Sequence, residues 1–181
     1  TIRQALAMGA DNGIHVEVPE NADNNLSAKA LAGALKKEAK IDLVFSGKEA
    51  IDDGAAQTSQ LAAEYAGLPI LTVVLNAEYM PTGVKAKREV EGGAIEVLEA
   101  PLPLWIAAQK GMNEPRYASL PNIMKAKKKP IDELSLDALG VTAASRTKVL
   151  KLETPPRRKA GVRVKNVDEL IHKLRHEAKV I

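Results

Sequence analysis

Residues 46–58, SGKEAIDDGAAQT, carry the types and spacing that best suit a bound anion. Gly47, Gly54, Ala55 and Ala56 are small enough for main-chain amides to approach a phosphate. Gln57 and Thr58 open what reads as a helix, whose free amides and dipole attract negative charge. Lys48 adds a cation, and Asp52 and Asp53 oppose it. Ala50 and Ile51 complete the segment between them. The pattern is neither a Walker loop nor GxGxxG, so the residues alone leave two readings: a nucleotide cradle, or a surface turn that caps a helix. Other candidates are weaker. Asp52 and Asp53 form a carboxylate pair, but adjacent residues point different ways and no second acidic motif supports Mg²⁺ binding or acid–base work. His172 and His176 stand four apart on a helical pattern with no third ligand in sight, which reads as a solvated face rather than a metal centre. His15 falls in a strand pattern and Trp105 in an apolar strand, both structural settings. No histidine is spaced to a serine in the manner of a nucleophile and its base. Neither a catalytic constellation nor a metal site is expected.

Residues 113–131, NEPRYASLPNIMKAKKKPI, suit a different chemistry. Arg116, Lys125, Lys127, Lys128 and Lys129 occur with no acid between Glu114 and Asp132, and Leu120, Ile123 and Met124 lie among them. Pro115, Pro121 and Pro130 rule out one uninterrupted helix. An apolar anchor ringed by cations fits transient docking to an acidic protein surface, where charge steers the encounter and a small apolar contact holds it. Nucleic acid is the rival partner, with Arg116 and Tyr117 available to stack on a base. The chain has only 3 Tyr, 1 Trp and 1 Phe, and the prolines break any helix meant for a groove, so the protein partner is favoured.

The elements that must hold these segments alternate. A strand is expected at 13–18 and a helix capped by Asn25 or Ser27, with Ala30, Leu31, Ala34 and Leu35 on one face. Strands follow at 41–45 and 70–75, separated by a helix at 57–66 that Gly67 and Pro69 end. This order implies a mainly parallel sheet. Strands at 85–90 and 94–99 flank Gly92 and Gly93 as a hairpin, and 102–107 is a further apolar strand. A final helix is expected from Asn166 to about Lys179, with Asn166 and Glu169 as a capping box. At 181 residues and 45% apolar, the chain can bury one sizeable core with a small appendage. The lack of cysteine excludes disulfides and thiolate ligands, and no apolar run is long enough for a membrane-spanning helix. The net charge is only +3, so the basicity is local: residues 113–131, and Arg157, Arg158, Lys159, Arg163 and Lys165 near the end.

Four stretches together resemble the beta subunit of electron transfer flavoprotein: ALAMGADNGIHVEV at 5–18, GKEAIDDGAAQT at 47–58, NEPRYASLPNIMKAKKKPI at 113–131 and PPRRKAGVRV at 155–164. They occur in that subunit's order and run almost from end to end. The resemblance implies an α/β fold with a mainly parallel, doubly wound, Rossmann-like sheet, an antiparallel hairpin edge, and a C-terminal arm plus helix. It divides the chain into a nucleotide-binding core at 1–111, a partner recognition loop at 112–131, and an arm and helix at 132–181 that contact an alpha subunit. It also implies that a strand, a helix and a second strand precede residue 1. In this family the loop matching Gly47, Lys48, Ala50, Ile51, Asp52, Asp53, Gly54, Ala55, Ala56, Gln57 and Thr58 holds AMP in respiratory members and a second FAD in electron-bifurcating ones. The chain departs from the family's usual loop at Gly54, Ala56 and Ser59. Arg116, Tyr117, Leu120, Pro121, Ile123, Met124, Lys125 and Lys128 fall in the segment that anchors partner dehydrogenases. There Leu120 matches the apolar plug, and Lys125 and Lys128 match methylation sites of animal members. The implied function is an electron carrier rather than an enzyme. With an alpha subunit holding most of the redox FAD, it takes electrons from acyl-CoA dehydrogenases of fatty acid beta-oxidation and related flavoproteins. It passes them to a quinone oxidoreductase, in a bacterial cytoplasm or the mitochondrial matrix. The alternatives are the bifurcating type with a second FAD and a stand-alone nucleotide-binding regulatory domain of similar fold.

Overall fold

A computed structural model describes residues 1–38, 40–142, 144–158 and 160–181. The chain folds in the order α1 (Ile2–Met8), β1 (Ile14–Glu17), α2 (Asn24–Leu35), β2 (Leu43–Gly47), α3 (Thr58–Ala66), β3 (Ile70–Met80), β4 (Gly83–Glu89), β5 (Ile95–Pro101), β6 (Leu104–Ala108), α4 (Leu120–Lys128), β7 (Asp132–Ser135) and α5 (Val167–His172). Residues Thr1–Lys148 form one compact unit and Val149–Ile181 another.

In the first unit β2, β6 and β3 run parallel, and β4 and β5 continue the same open sheet antiparallel, in the order β2-β6-β3-β4-β5. The mixed α/β architecture with a parallel part and an antiparallel edge is the one the alternating pattern implied. β1 pairs in parallel with β7, His15 opposite Glu133. The strand at β7 was not legible in the hydropathy, because Asp132, Glu133 and Ser135 dominate its four residues. β3 also runs five residues beyond the expected strand, turning at Pro81 and Thr82 into β4. Gly83 opens β4 because a β-carbon there would lie 2.4 Å from the Ala100 carbonyl oxygen on β5.

Successive residues of β6 face opposite sides of the sheet and so build two cores. Leu104 and Ile106, both wholly buried, pack with Val74, Val84 and Ala86. Burial of each large side chain contributes about 1.5–3 kcal/mol. Trp105 faces the other way, onto Ala28 of α2 and Ala62 and Ala63 of α3, and its indole N–H donates to Ser46 Oγ at 2.8 Å. Alanines at that contact let α2 and α3 lie close together. Leu31, expected on the buried face of α2, is 44% exposed, while Leu26, Ala28 and Ala32 are buried instead. The helix begins earlier than expected as well: Asp23, not Asn25 or Ser27, is its N-cap, accepting from the Leu26 amide at 2.8 Å.

In the unit Val149–Ile181, the described residues ahead of α5 form neither helix nor strand. Lys159, one of the basic residues of this arm, lies outside the described residues. Asn166 Oδ1 accepts from the Glu169 amide at 2.9 Å, and Glu169 Oε2 accepts from the Lys165 amide at 2.9 Å. The capping box is therefore reciprocal but returns one residue earlier than its usual form. α5 continues into a π-helical turn at Lys173–Ala178, and no residue of either is buried.

Candidate functional site

The segment after β2 folds against the amino ends of two helices. Asp53 turns back on itself: Oδ1 accepts from the Ala55 amide at 3.0 Å and Oδ2 from Asn24 Nδ2 at 3.2 Å. The Ala55 amide first, then Asn24, hold the Asp53 carboxyl below the usual carboxylate range. Asn24 in turn accepts from Thr58 Oγ1 at 3.2 Å, so the starts of α2 and α3 are tied together beneath the loop. Asp52 Oδ1 accepts from the Asp53 amide at 3.0 Å. The two carboxylates thus diverge and serve the turn, and among the described residues no group of three or more His, Asp or Glu side chains gathers as a metal site.

Gly54 and Ala56 both take left-handed backbone, φ +57° and +51°. Ala56 leads into α3, whose N-cap Gln57 makes no side-chain cap hydrogen bond. The helix therefore starts without the side-chain acceptor that most helices use. Gln60 Nε2 donates to the Ala56 carbonyl at 2.6 Å, and Ser59 Oγ to the Gly47 carbonyl at 3.2 Å, holding the loop against β2. Residues 47–58 thus come together as one turn at the carboxyl end of a parallel strand, with Ile51 fully exposed. Open sheets of this kind bind ligands at that end. Lys48 pairs with Glu49 at 3.1 Å and lines a cleft of about 620 Å³ with Arg88 and Gln109, so its charge is partly balanced within the chain.

The lysine-rich segment holds a helix where the prolines suggested a loop. Ser119 Oγ accepts from the Asn122 amide at 3.4 Å, Pro121 sits in the first turn of α4, and Pro130 follows its end. Proline costs nothing in a first turn, where its missing N–H has no helical partner. Lys125, Lys127 and Lys128 occupy the last turn, where the dipole favours cations. α4 packs on α1 through Leu6, Ala7 and Ala126, all at least 97% buried. Arg3 Nη1 donates to the Ala126 carbonyl at 2.8 Å and also to the Lys129 carbonyl, closing the end of α4. Lys129 Nζ donates to the Ala10 carbonyl at 2.6 Å, closing the end of α1. Each helix terminus is held by a cation from the other element. Neither Arg3 nor this role for Lys129 was identified from the sequence, and the expected partner-binding residues did not include them. On the outer face of α4 Leu120 is 73% exposed and Met124 53%, and Tyr117, ahead of the helix, is fully exposed.

These features define an open α/β protein with an anion-suited loop at the carboxyl end of a parallel strand and a cationic helix with apolar side chains facing out. The profile of the electron transfer flavoprotein domain matches residues 1–139. The electron transfer flavoprotein subunit beta of Bos taurus is 45% identical over 184 residues, covering 99% of this chain and 71% of that protein. The mitochondrial subunit beta of Arabidopsis thaliana is 45% identical, covering 100% and 72%, and that of Bacillus subtilis 38%, covering 99% and 74%. This chain belongs to the electron transfer flavoprotein family and is homologous to its beta subunits along nearly its whole length. Its role is electron transfer. Among the described residues no helix is long and apolar enough to cross a membrane.

Proposed function

We propose that this chain is the half of a flavoprotein heterodimer that docks electron donors and holds a structural AMP, while an alpha subunit holds most of the redox FAD. The observation that carries the AMP reading is the start of α3. Its N-cap makes no side-chain hydrogen bond, it follows a left-handed Ala56, and it stands at the carboxyl end of β2. A phosphate fits there against the amides of Ala56, Gln57 and Thr58, with the helix dipole behind it. Asp53 does not oppose it strongly, because its carboxylate is turned onto Ala55 and Asn24. AMP supplies no redox chemistry; these residues bind and orient it, and it ties the loop to the helix.

The outward face of α4 supports the docking reading: Leu120 and Met124 stand exposed beside Lys125 and Lys128. The donors are acyl-CoA dehydrogenases and related flavoproteins, and the acceptor is a quinone oxidoreductase. The exposed apolar stripe of Val167, Leu170 and Ile171 on α5 supports a contact with the alpha subunit. The chain works as a carrier in a bacterial cytoplasm or a mitochondrial matrix, according to its source. The nucleotide reading is tested by denaturing the purified heterodimer and measuring what is released. One FAD and one AMP per heterodimer are expected; two FAD and no AMP would replace this reading by the electron-bifurcating type.

A further inference from the structure

α4 leaves a cleft of about 790 Å³ between itself, α1 and residues 114–118. Its floor is made of Ala7 and Ala126, whose short side chains give it depth. Met8 at 36%, Ile123 at 39% and Tyr117 at 100% leave apolar surface exposed along its walls. The rim is cationic: Arg3, Arg116 and Lys127 face it, with Glu114 as the acid. One of those cations is fixed: Arg3 is held by the carbonyls of Ala126 and Lys129, while the Arg116 guanidinium lies near Gly9. On α4, Leu120, Ile123 and Lys127 follow one another at spacings of three and four, so the cleft is continuous with the exposed Leu120.

We propose that this cleft is a second anchoring pocket, which receives from an acidic partner protein a large apolar side chain flanked by a carboxylate. The inference rests on the docking reading above and adds a receiving pocket to the projecting Leu120. Complementarity selects the occupant. The apolar floor and walls require a buried side chain of leucine or aromatic size, and the three rim cations require a neighbouring carboxylate. A second copy of this chain would bring lysines against lysines. The Arg3 guanidinium, already held by two carbonyls, loses little side-chain freedom on binding, so that part of the rim is prepared before the partner arrives.

The test measures the steady-state affinity of the complete flavoprotein for an electron-donating dehydrogenase, alongside thermal unfolding. Gln4→Trp fills the cleft from an exposed position on α1, and Tyr117→Ala removes a wall that belongs to no core cluster. Each should weaken binding roughly tenfold, mainly through faster dissociation, with unfolding unchanged. Leu120→Ala serves as the reference. If Leu120→Ala weakens binding while Gln4→Trp and Tyr117→Ala stay within about twofold of the parent, the pocket is empty in the complex and the inference is wrong. If all three are silent, the docking reading falls with it. Weakening by Gln4→Trp and Tyr117→Ala alone supports the pocket and removes Leu120 as an anchor.

Discussion

Leu120→Ala separates an anchor from a core residue. Complete burial of a leucine side chain is worth about 1.5–3 kcal/mol. With 73% of Leu120 still exposed, about 1–2 kcal/mol of that remains to be gained when a partner covers it. At about 1.4 kcal/mol per tenfold, truncation should weaken docking by about 5- to 30-fold. The same exposure means the fold loses little. Leu6, 3% exposed between α1 and α4, sets the opposite standard, because Leu→Ala at a buried site costs roughly 2–5 kcal/mol. Flavin reduction by a dehydrogenase, titrated against the complete flavoprotein, gives the affinity, and thermal unfolding gives the stability. Leu120→Ala should lower the first and spare the second; Leu6→Ala should lower the melting temperature. An unchanged affinity for Leu120→Ala, or a melting temperature as low as that of Leu6→Ala, would refute the reasoning.

The four lysines should not act alike. Lys125 and Lys128 are exposed, so replacing both with alanine should slow association and flatten its salt dependence, whereas Lys129→Met should keep the slope and loosen α1 from α4, since its ammonium is bound to Ala10. Stopped-flow rates at several salt concentrations distinguish the two, and an equal loss of slope would contradict the assignment. Gly83→Ala should destabilise the sheet by roughly 1–3 kcal/mol in denaturant titration, because the added carbon meets backbone on β5 rather than a side chain that can move. Asp23 should make the attachment of residues 145–147 depend on pH. The Leu26 amide first, and the Thr147 and Arg146 groups after the opposing desolvation, lower its pKa below the ordinary 3.8. A lowered folded pKa means that the contribution is complete above the unfolded value and disappears as pH falls through the folded one. Protection of the Arg146 and Thr147 amides against exchange, relative to free-peptide rates at the same pH, should therefore fall only at acid pH in the parent and be low at every pH in Asp23→Asn; parent protection that does not respond to acid would count against this.

Residues with a strong local signal were read correctly, and those governed by distant partners were not. Trp105 and its apolar neighbours could be identified as a buried strand because β6 is apolar throughout. Gly92 and Gly93 marked the hairpin because only a turn needs two such residues between strands. By contrast, the four residues of β7 have no apolar alternation, and their strand depends on backbone bonding to β1. Asp23 was missed as the cap of α2 because Asn25 and Ser27 are equally good caps by type. What decides it is that Asp23 also accepts from Arg146 at 2.6 Å and Thr147 at 2.9 Å, more than a hundred residues away.

The candidate site shows the same division. The loop at 47–58 was legible because small residues before a helix start are a local pattern. That Asp53 would turn onto Asn24 was not, since Asn24 lies in another helix. In the lysine segment the prolines were taken as helix breakers, yet Pro121 lies in the one turn where a helix tolerates it and Pro130 lies beyond the end. The far end of α4 is closed by Arg3, from the opposite end of the sequence, and Lys129 closes α1 in return. Such reciprocal closure has a functional consequence. A flexible cationic loop would lose conformational freedom each time a partner bound, whereas a helix capped by Ser119 and closed at its far end by Arg3 carries Leu120, Met124, Lys125 and Lys128 on one preformed backbone. On the docking reading proposed above, such a preformed face with one projecting leucine would hold a partner through shape and charge rather than through a large buried area.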